Sequence, residues 1–588
     1  MNNYDAILIQ IRAAYIHNDL RRWEPQLGLY YIAEYAHKNG FNVKVKSYSS
    51  SDAIIQSLRA LIVQNNCGII GFYIDSENLW IVRRVSLIMR NCLNDLFIVI
   101  GGPQVTGDPK LAMKRLPHVD CAIIGEGERP FAGILRCKLR NCVELSQING
   151  IVFRDTQNAL HSTSPQTKYD IDNYPWPRRY SYTLDDGVIF DQLSTGRGCV
   201  GQCAFCFEGN KSSNHLRLRS VESVIEEIDY LVLHLPNRKY LSFLDDTFII
   251  NRERTEKICK HLIDNYEGKV GWFCEGRVDI LKKNLDVLPL LKKAGCIRIQ
   301  LGGESGNQRI LDSYNKQMKL EDLEIVVKKI YECGISSVYI NFIIGGAFET
   351  IDSFNDTLEF ARRLLNLAPG CAEVGSSLLT PYVGTPIRRN PQCYGITIID
   401  ESLVTGPDGF TPFCRTNDLK EEKIIQLKNL FDKELLDETM RIVPTLSNNQ
   451  IMAHYKMRNN YDMFTNWYTC VNEIEAYKNY FESQIGYGFE TFSEINTNEK
   501  LNISIPFRTV QPISDGKKYY IPNIGGVHME LQGLTYDLFM LSCGKLCFLE
   551  IYSILSRKYN NSAELKQHII QKYAMFDQMR LVIWKYLF

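Results

Sequence analysis

The sequence predicts an α/β protein: a doubly wound parallel sheet, then a partial (β/α)6 barrel, then a mostly helical C-terminal region. Three observations predict it. Strand-length apolar runs alternate with helix-period segments through about the first 400 residues, the pattern of parallel sheets covered by helices. Tyr174-Pro175-Trp176-Pro177 interrupts that alternation, because two prolines in three positions oppose helix and favour an extended connector. Beyond about residue 400 the alternation gives way to long helical patterns. The implied division is 1–145, a linker at 146–185, 186–400, and 401–588.

In the first segment, residues 4–10, 41–47, 67–73, 97–101 and 119–124 read as strands, with helices at 27–39, 52–65, 79–91 and 108–116. Gly40 suits the left-handed position that closes the first helix. The linker holds a short hairpin around Gly150, a polar stretch and the proline pair. From 186 onward, residues 188–194, 240–244, 270–275, 296–301, 337–344 and 372–379 read as six strands. Ser220 is an N-cap residue type, and Val221, Val224, Ile225, Ile228 and Val232 share one face of the helix behind it. Leu320, Leu323, Val327 and Ile330 form a second such face, closed by Gly334. In barrels of this kind chemistry gathers at the strand C-termini. The last segment has a long helix at 420–442, a β-like stretch at 506–521 and short amphipathic helices over 534–587.

Composition excludes several classes. A chain of 588 residues, 45% hydrophobic and 11% aromatic, is not disordered. Its 67 basic residues cancel 67 acidic ones, so no net charge draws nucleic acid or an anionic membrane, and neither partner is expected. No apolar run approaches the ~18 residues of a membrane span, and residues 1–10 do not read as a signal peptide. The 18 cysteines are therefore expected in a reducing cytosol, where clustered cysteine serves metal or catalysis.

The sharpest signal is Cys199-Val-Gly-Gln-Cys203-Ala-Phe-Cys206 after the first barrel strand. Three thiolates on a loop loosened by Gly196, Gly198 and Gly201 can hold three irons of a cubane cluster, leaving the fourth open to a small molecule. Zinc is the alternative, but a structural zinc site wants four ligands, and the nearest further one is His215. The motif, with Phe205 before its last cysteine, resembles that of the radical S-adenosylmethionine (SAM) superfamily. The resemblance implies that Cys199, Cys203 and Cys206 bind a [4Fe–4S] cluster whose open iron is chelated by SAM, and that one electron then cleaves SAM to a 5′-deoxyadenosyl radical.

Further segments are similar to the superfamily's SAM contacts. Leu244-Asp245-Asp246-Thr247-Phe248 ends the second strand, where a carboxylate would accept from the SAM ammonium; either aspartate could instead be a helix N-cap. Glu275 and Arg277 end the third strand, and Gly302-Gly303-Glu304-Ser305 ends the fourth. Each of these could equally make a barrel-rim hydrogen bond. Ile344-Gly345-Gly346 and residues 380–386 end the last two strands, with glycines that permit close approach.

A second resemblance lies upstream. Pro25-Gln26-Leu27-Gly28-Leu29, Ile100-Gly101-Gly102-Pro103 and Ile124-Gly125-Glu126-Gly127-Glu128 look like the Rossmann-like cobalamin-binding domain that precedes many radical SAM enzymes. Glycines beyond the strand C-termini let a bulky ligand reach the backbone; an unliganded doubly wound domain is the alternative. The DxHxxG motif that gives other cobalamin proteins an axial histidine is absent, and His17, His37 and His118 stand outside any equivalent setting. The resemblance then implies a non-histidine residue or water below the cobalt, with residues 73–80 as the segment facing it.

The remaining cysteines read as packing residues. Cys543 and Cys547 sit four apart on an expected helix, and Cys67, Cys92, Cys121, Cys137 and Cys142 lack the spacing of a methylthiotransferase's second cluster set. Residues 534–587 faintly resemble the winged-helix, peptide-clasping elements of ribosomal-peptide maturases, or they simply cap the barrel.

Together these features imply a cytoplasmic cobalamin-dependent radical SAM enzyme that methylates an unactivated carbon of a peptide or natural-product intermediate. One SAM would methylate cobalamin, a second would supply the radical, and a flavodoxin- or ferredoxin-type donor would supply the electron. The alternatives are a radical rearrangement or cyclisation without methyl transfer, a methylthiotransferase, and a non-catalytic cofactor- or peptide-binding module.

Overall fold

Isoleucine, valine and phenylalanine crowd the short runs that the sequence marks as strands, and burial on both faces accounts for them. The computed structural model describes residues 3–12, 26–49, 53–167, 169–208, 216–235, 240–399, 411–514, 517–521, 529–560 and 562–586. The chain forms two units, Met1–Leu435 and Leu436–Phe588.

The first sheet contains β1 (Ala6–Arg12), β2 (Val43–Ser49), β3 (Ile69–Tyr73), β4 (Phe97–Gly101), β5 (Cys121–Ile123), β6 (Ile151–Arg154) and β7 (Leu160–Ser162), in the order β2-β1-β3-β4-β5-β6-β7. Strands β1 to β5 run parallel, and β6 and β7 add antiparallel beyond β5. The hairpin around Gly150 thus extends the sheet that precedes it. Helices α1 (Leu27–Lys38), α2 (Ala53–Gln64), α3 (Leu79–Cys92), α4 (Pro103–Gly107), α5 (Pro109–Arg115) and α6 (Glu128–Arg140) cover it. The order reverses between β1 and β3, which opens a crevice at their C-terminal ends.

Two details differ from expectation. β1 and β2 each begin two residues late, because Asp5 is engaged before the ladder starts: its N–H donates to Asn42 O, and its carboxylate accepts from Asn42 N–H. The helix expected at 108–116 is present as α5, capped by Asp108 through Leu111 N–H with Pro109 at its first turn, but a separate short helix, α4, precedes it where the sequence marks none.

The second sheet contains β8 (Gln192–Leu193), β11 (Tyr240–Phe243), β12 (Gly271–Gly276), β13 (Cys296–Glu304), β14 (Ser337–Ile344) and β15 (Ala372–Leu378), all parallel, in the order β15-β14-β13-β12-β11-β8. This is the open six-stranded barrel the sequence predicts. Its first strand is shorter than expected, starting only at Gln192, and the chain then turns into β9 (Gly196–Arg197), which pairs antiparallel with β10 (Arg217–Leu218). Helix α7 (Val221–His234) starts at Ser220, whose hydroxyl accepts from Ser223 N–H, and it buries Val224, Ile228 and Val232. Helix α8 (Arg252–Tyr266) follows β11. The antiparallel pair β16 (Ile396–Ile398) and β17 (Cys414–Thr416) ends the barrel region.

In the second unit, β18 (Ile505–Arg508) pairs with β22 (Val582–Lys585) around Trp584, while β19 (Ile513–Ser514), β20 (Tyr519–Ile521) and β21 (Met529–Leu531) form a small antiparallel sheet. The stretch expected to be β-like therefore serves two sheets. Helices Gly533–Leu541, Phe548–Tyr559 and Ala563–Gln578 follow. Cys543 and Cys547 do not share a helix. The first helix ends at Leu541, Gly544 (φ 79°) turns the chain, and Cys547 caps the next helix. Among the described residues no helix is long and apolar enough to cross a membrane.

One buried charge holds the first unit together. Glu227 on α7 is 0% exposed and lies between Arg179 of the linker and Arg219, and Arg219 also donates to the Tyr31 hydroxyl on α1 (3.3 Å). Removing one partner of such a group leaves buried charge uncompensated. Glu227→Gln should lower the unfolding free energy of the first unit by about 3–5 kcal/mol in urea titrations. A change below about 0.5 kcal/mol, the range of an ordinary surface substitution, would show that the cluster carries no such weight.

Candidate functional site: two facing rims

The crevice of the first sheet is a cavity of about 510 Å³. Its floor is glycine. A Cβ on Gly28 would meet nothing within 4 Å, one on Gly101 only Ile123 at 4.0 Å, and one on Gly125 only Gln166 at 3.9 Å. These positions leave room that any other residue would fill. Gly102 and Gly127 are tight instead, since a Cβ would fall 2.5 Å from Ile74 O and 2.4 Å from the Ile32 side chain respectively, and Gly102 is also left-handed at φ 108°. Tyr31, Phe72, Tyr73 and Ile100 are among the walls, and Gln192, Ser194, Arg197 and Leu244 of the barrel region complete them. A largely apolar cleft with a bare backbone floor and a few polar groups fits part of a large planar cofactor such as cobalamin.

The segment after β3 is tightly built. Asn78 donates to Ile11 O and Tyr73 O, both at 3.0 Å, while Asp75 accepts from Glu77 N–H and Asn78 N–H. Burial pushes the Asp75 carboxyl up to about 6, assisted by Glu77. His37 packs against Tyr182, and His118 supplies its backbone carbonyl to Arg90, so neither lines the cavity. His17, Pro25 and His215 lie outside the described residues.

The cysteine loop leaves β9 through Gly198, whose φ of 91° is left-handed. It is anchored from behind: Ala204 N–H donates to Tyr314 O (2.8 Å), Ile387 N–H to Ala204 O (3.2 Å), and Asn315 to Gln202 O (3.2 Å). Phe205 packs edge-on against Tyr314, with ring centroids 5.1 Å apart. Cys203 is buried, whereas Cys199 and Cys206 are half-buried, and none of the three is in a disulfide. Among the described residues no three His, Cys, Asp or Glu side chains converge on a point that would hold one ion. A cubane cluster asks for one thiolate on each of three separate irons, and three cysteines on one glycine-loosened loop have the chemistry to supply them.

The barrel rim faces this loop. Asp245 is buried, and both of its oxygens accept from Thr195, one from N–H (2.9 Å) and one from the hydroxyl (2.7 Å). Arg254 braces the same threonine. Asp245 therefore acts on the chain, holding the approach to β9. Asp246 is half-buried beside it. Glu275 accepts from Gln300 (3.2 Å), and burial raises its carboxyl. Arg277 lies under the loop, and its Nη1 stands 3.8 Å from Cys203 Sγ. Ser305 is spent on packing, sharing a hydrogen bond with Thr357 (3.2 Å) and accepting from Asn307 N–H (3.1 Å). Glu304 adopts φ 59° beyond an irregularity in the β13–β14 register, and it pairs with Lys316. Asn315 and Gln317, on either side of that lysine, are also left-handed. Three non-glycine residues in that region around one buried ion pair are the kind of strain that clusters at working sites.

The two rims meet directly. Arg197, two residues before Cys199, reaches Glu128 (2.6 Å) and Glu126 (3.3 Å), with its guanidinium over Tyr31 at 4.8 Å and Tyr174 at 5.4 Å. Arg217 also pairs with Glu126. Burial would raise the Glu126 carboxyl, but the Arg217 hydrogen bond and the Arg197 and Arg217 charges outweigh it and hold it below the usual range. On the other side, a Cβ on Gly107 at the end of α4 would fall 2.4 Å from Val383 O, and Gly384 lies near Phe207. Of the expected residues, Gly101, Gly102, Gly125, Glu126 and Gly127 line the cavity, while Ser305 and Asp245 turn inward to Thr357 and Thr195. Sequence reasoning missed Lys316, Arg197, Thr195 and Arg254. Arg197 stood inside the recognised motif region, and Lys316 had only its place behind the fourth barrel strand as a signal.

The B12 binding domain family matches residues 20–135, and the Radical SAM superfamily matches residues 193–361. The uncharacterised methyltransferase PH0819 of Pyrococcus horikoshii is 29% identical over 61% of this chain and 77% of its own length. The anaerobic magnesium-protoporphyrin IX monomethyl ester cyclase of Cereibacter sphaeroides is 26% identical over 58% of this chain; the match spans 55% of the cyclase. The cobalamin-dependent SAM radical enzyme OxsB, solved with aqua-cobalamin and SAM, shares the fold at a TM-score of 0.58 with 16% identity, over 98% of this chain and 84% of its own.

Glu349 gives the rim a pH signature. It is 1% exposed behind the Gly345-Gly346 turn, and burial lifts its carboxyl from an ordinary 4.5 to about 7, against the opposing pull of the Gly345 and Gly346 N–H groups. The folded chain then keeps a proton that the unfolded chain releases, so this group favours folding at low pH and loses that contribution as pH rises from about 4.5 through about 7. Relative to Glu349→Gln, the wild type should lose about 3 kcal/mol of unfolding free energy across that window and run level above it. Parallel pH profiles for the two proteins would contradict this.

Proposed function

This chain belongs to the cobalamin-dependent radical SAM enzymes, and we propose that it transfers a methyl group to an unactivated carbon of a peptide or natural-product intermediate. Its cofactors are a [4Fe–4S] cluster, SAM and cobalamin. The observation that carries the reading is Arg197, a residue of the cysteine-loop strand that lines the cavity of the first sheet and pairs with Glu126 and Glu128 there. Two cofactor sites that share a wall suit a reaction in which two reactive groups serve one carbon.

When bound, the cluster supplies the electron that splits SAM and cobalamin carries the methyl group. The chain's residues do the rest. Cys199, Cys203 and Cys206 each hold one iron, with Phe205 packed behind the loop. Asp246, half-buried beyond the end of β11, receives the SAM ammonium, and Asp245 holds Thr195. Glu304 and Lys316 present a paired carboxylate and ammonium to the polar end of SAM, and Glu275 accepts from its hydroxyls. Gly28, Gly101 and Gly125 admit cobalamin to the backbone. The Gly107–Val383 approach closes one side against water, which protects a carbon-centred radical. A flavodoxin- or ferredoxin-type protein delivers the electron.

A ring closure without methyl transfer is the second reading, favoured by the similarity to the magnesium-protoporphyrin IX monomethyl ester cyclase. Methyl-labelled SAM separates the two. Under methyl transfer, the anaerobic holoenzyme converting its substrate should form S-adenosylhomocysteine and 5′-deoxyadenosine in about equal amounts, with label in the product. Deoxyadenosine alone would support ring closure, and S-adenosylhomocysteine alone would support polar methyl transfer.

A further inference from the structure

Arg277 was expected among the SAM contacts, but its geometry gives it another target. It follows β12, is 8% exposed, and is gripped by Asp279 as a fork: Nε lies 3.0 Å from Oδ1, and Nη2 donates to Oδ2 at 3.2 Å. Nη1 extends the other way, and its N–H donates to Cys203 Sγ at 3.8 Å. Cys203 is 6% exposed, so the bond lies away from water, where a charged donor is felt most. The loop is also shaped for the guanidinium. A Cβ on Gly201 would fall 1.9 Å from Nη1, and Gly201 is not among the glycines with positive φ. Backbone conformation therefore does not require glycine there; the arginine does.

We propose that Arg277 sets the reduction potential of the cluster by donating Nη1–H to the Cys203 thiolate. The inference rests on the cluster assignment above. Reduction adds one electron to the cluster from an external donor, with no bond made or broken and no proton transferred. The reduced form is the more negative, so a fixed cation and an N–H···S bond on one ligand stabilise it relative to the oxidised form and raise the potential. The guanidinium stays charged throughout the accessible pH range, so its effect does not depend on titration. Lys316 stands beside the same loop and is paired with Glu304 as Arg277 is with Asp279, but it is Arg277 that donates to a ligand sulfur.

The test is an EPR-monitored redox titration of anaerobic full-length holoprotein, with dithionite as reductant, alone and with SAM. Arg277→Gln should move the midpoint to more negative potential, while iron and sulfide remain at about four per chain. Arg277→Lys keeps a charge but loses the fork, and should fall between Gln and wild type. Gly201→Ala retains the arginine and pushes it off the sulfur, so it should shift the midpoint in the same direction as Arg277→Gln. A purely packing role would not move the potential of an intact cluster. Wild-type midpoints in both Arg277→Gln and Gly201→Ala at full cluster content would overturn the proposal. If Arg277→Gln fails to hold a cluster, Gly201→Ala decides alone: a negative shift supports the proposal and an unchanged midpoint overturns it. A wild type without a cluster would instead sink the cofactor assignment.

Discussion

Arg197 is the contact on which the rest of the site depends. It stands two residues before Cys199 on β9, yet its guanidinium belongs to the first sheet, between Glu126 and Glu128 and over the rings of Tyr31 and Tyr174. A half-buried cation with two carboxylates cannot be released cheaply, because each group would be left to desolvate alone. The position of the cysteine loop is consequently fixed relative to the glycine-floored cavity. Glu128 sits in the first turn of α6, where the helix N-terminus also favours negative charge. The loop that would hold iron and the cleft that would hold cobalamin are one construction.

Other constraints enforce the same geometry from different sides. Glu227 between Arg179 and Arg219 ties the linker to α7, and Tyr31 connects that cluster to the cavity wall. Thr195, held by Asp245 and Arg254, fixes the strand just before Arg197. Gly107 and Val383 touch so closely that only glycine fits. These contacts lie around the strand C-termini, where a parallel sheet leaves backbone groups available for ligands. Strain collects there too, at Glu304, Asn315 and Gln317 around Lys316, which suggests that stability has been traded for the placement of one ion pair.

Much of this was legible before any coordinates. Periodicity marks both sheets because each strand is buried on two faces, and the cysteine spacing carries its chemistry in eight residues. The glycines at 28, 101 and 125 were readable as open backbone, whereas Gly102 and Gly127 share the same pattern and sit in tight surroundings. Sequence alone does not distinguish these, since both uses need the absence of a side chain. Asp245 and Ser305 illustrate the same limit: their places at strand ends point to ligands, but their hydrogen bonds go to Thr195 and Thr357. Arg197 was hidden because its partner Glu128 lies 69 residues away, and Lys316 because its pairing with Glu304 depends on the left-handed turns at 304, 315 and 317, which no local pattern records. Cys543 and Cys547 were placed on a helix that Gly544 breaks.

The central claim is that one chain carries two separable cofactor sites built against a common wall. The most direct measurement is the iron, sulfide and cobalt content of anaerobically reconstituted full-length protein, beside a variant in which Cys199, Cys203 and Cys206 are all alanine. The account predicts about four irons and one cobalamin per chain in the wild type, and cobalamin without iron in the variant. Four irons retained in the variant, or a well-folded wild type that takes up iron but no cobalamin, would contradict it.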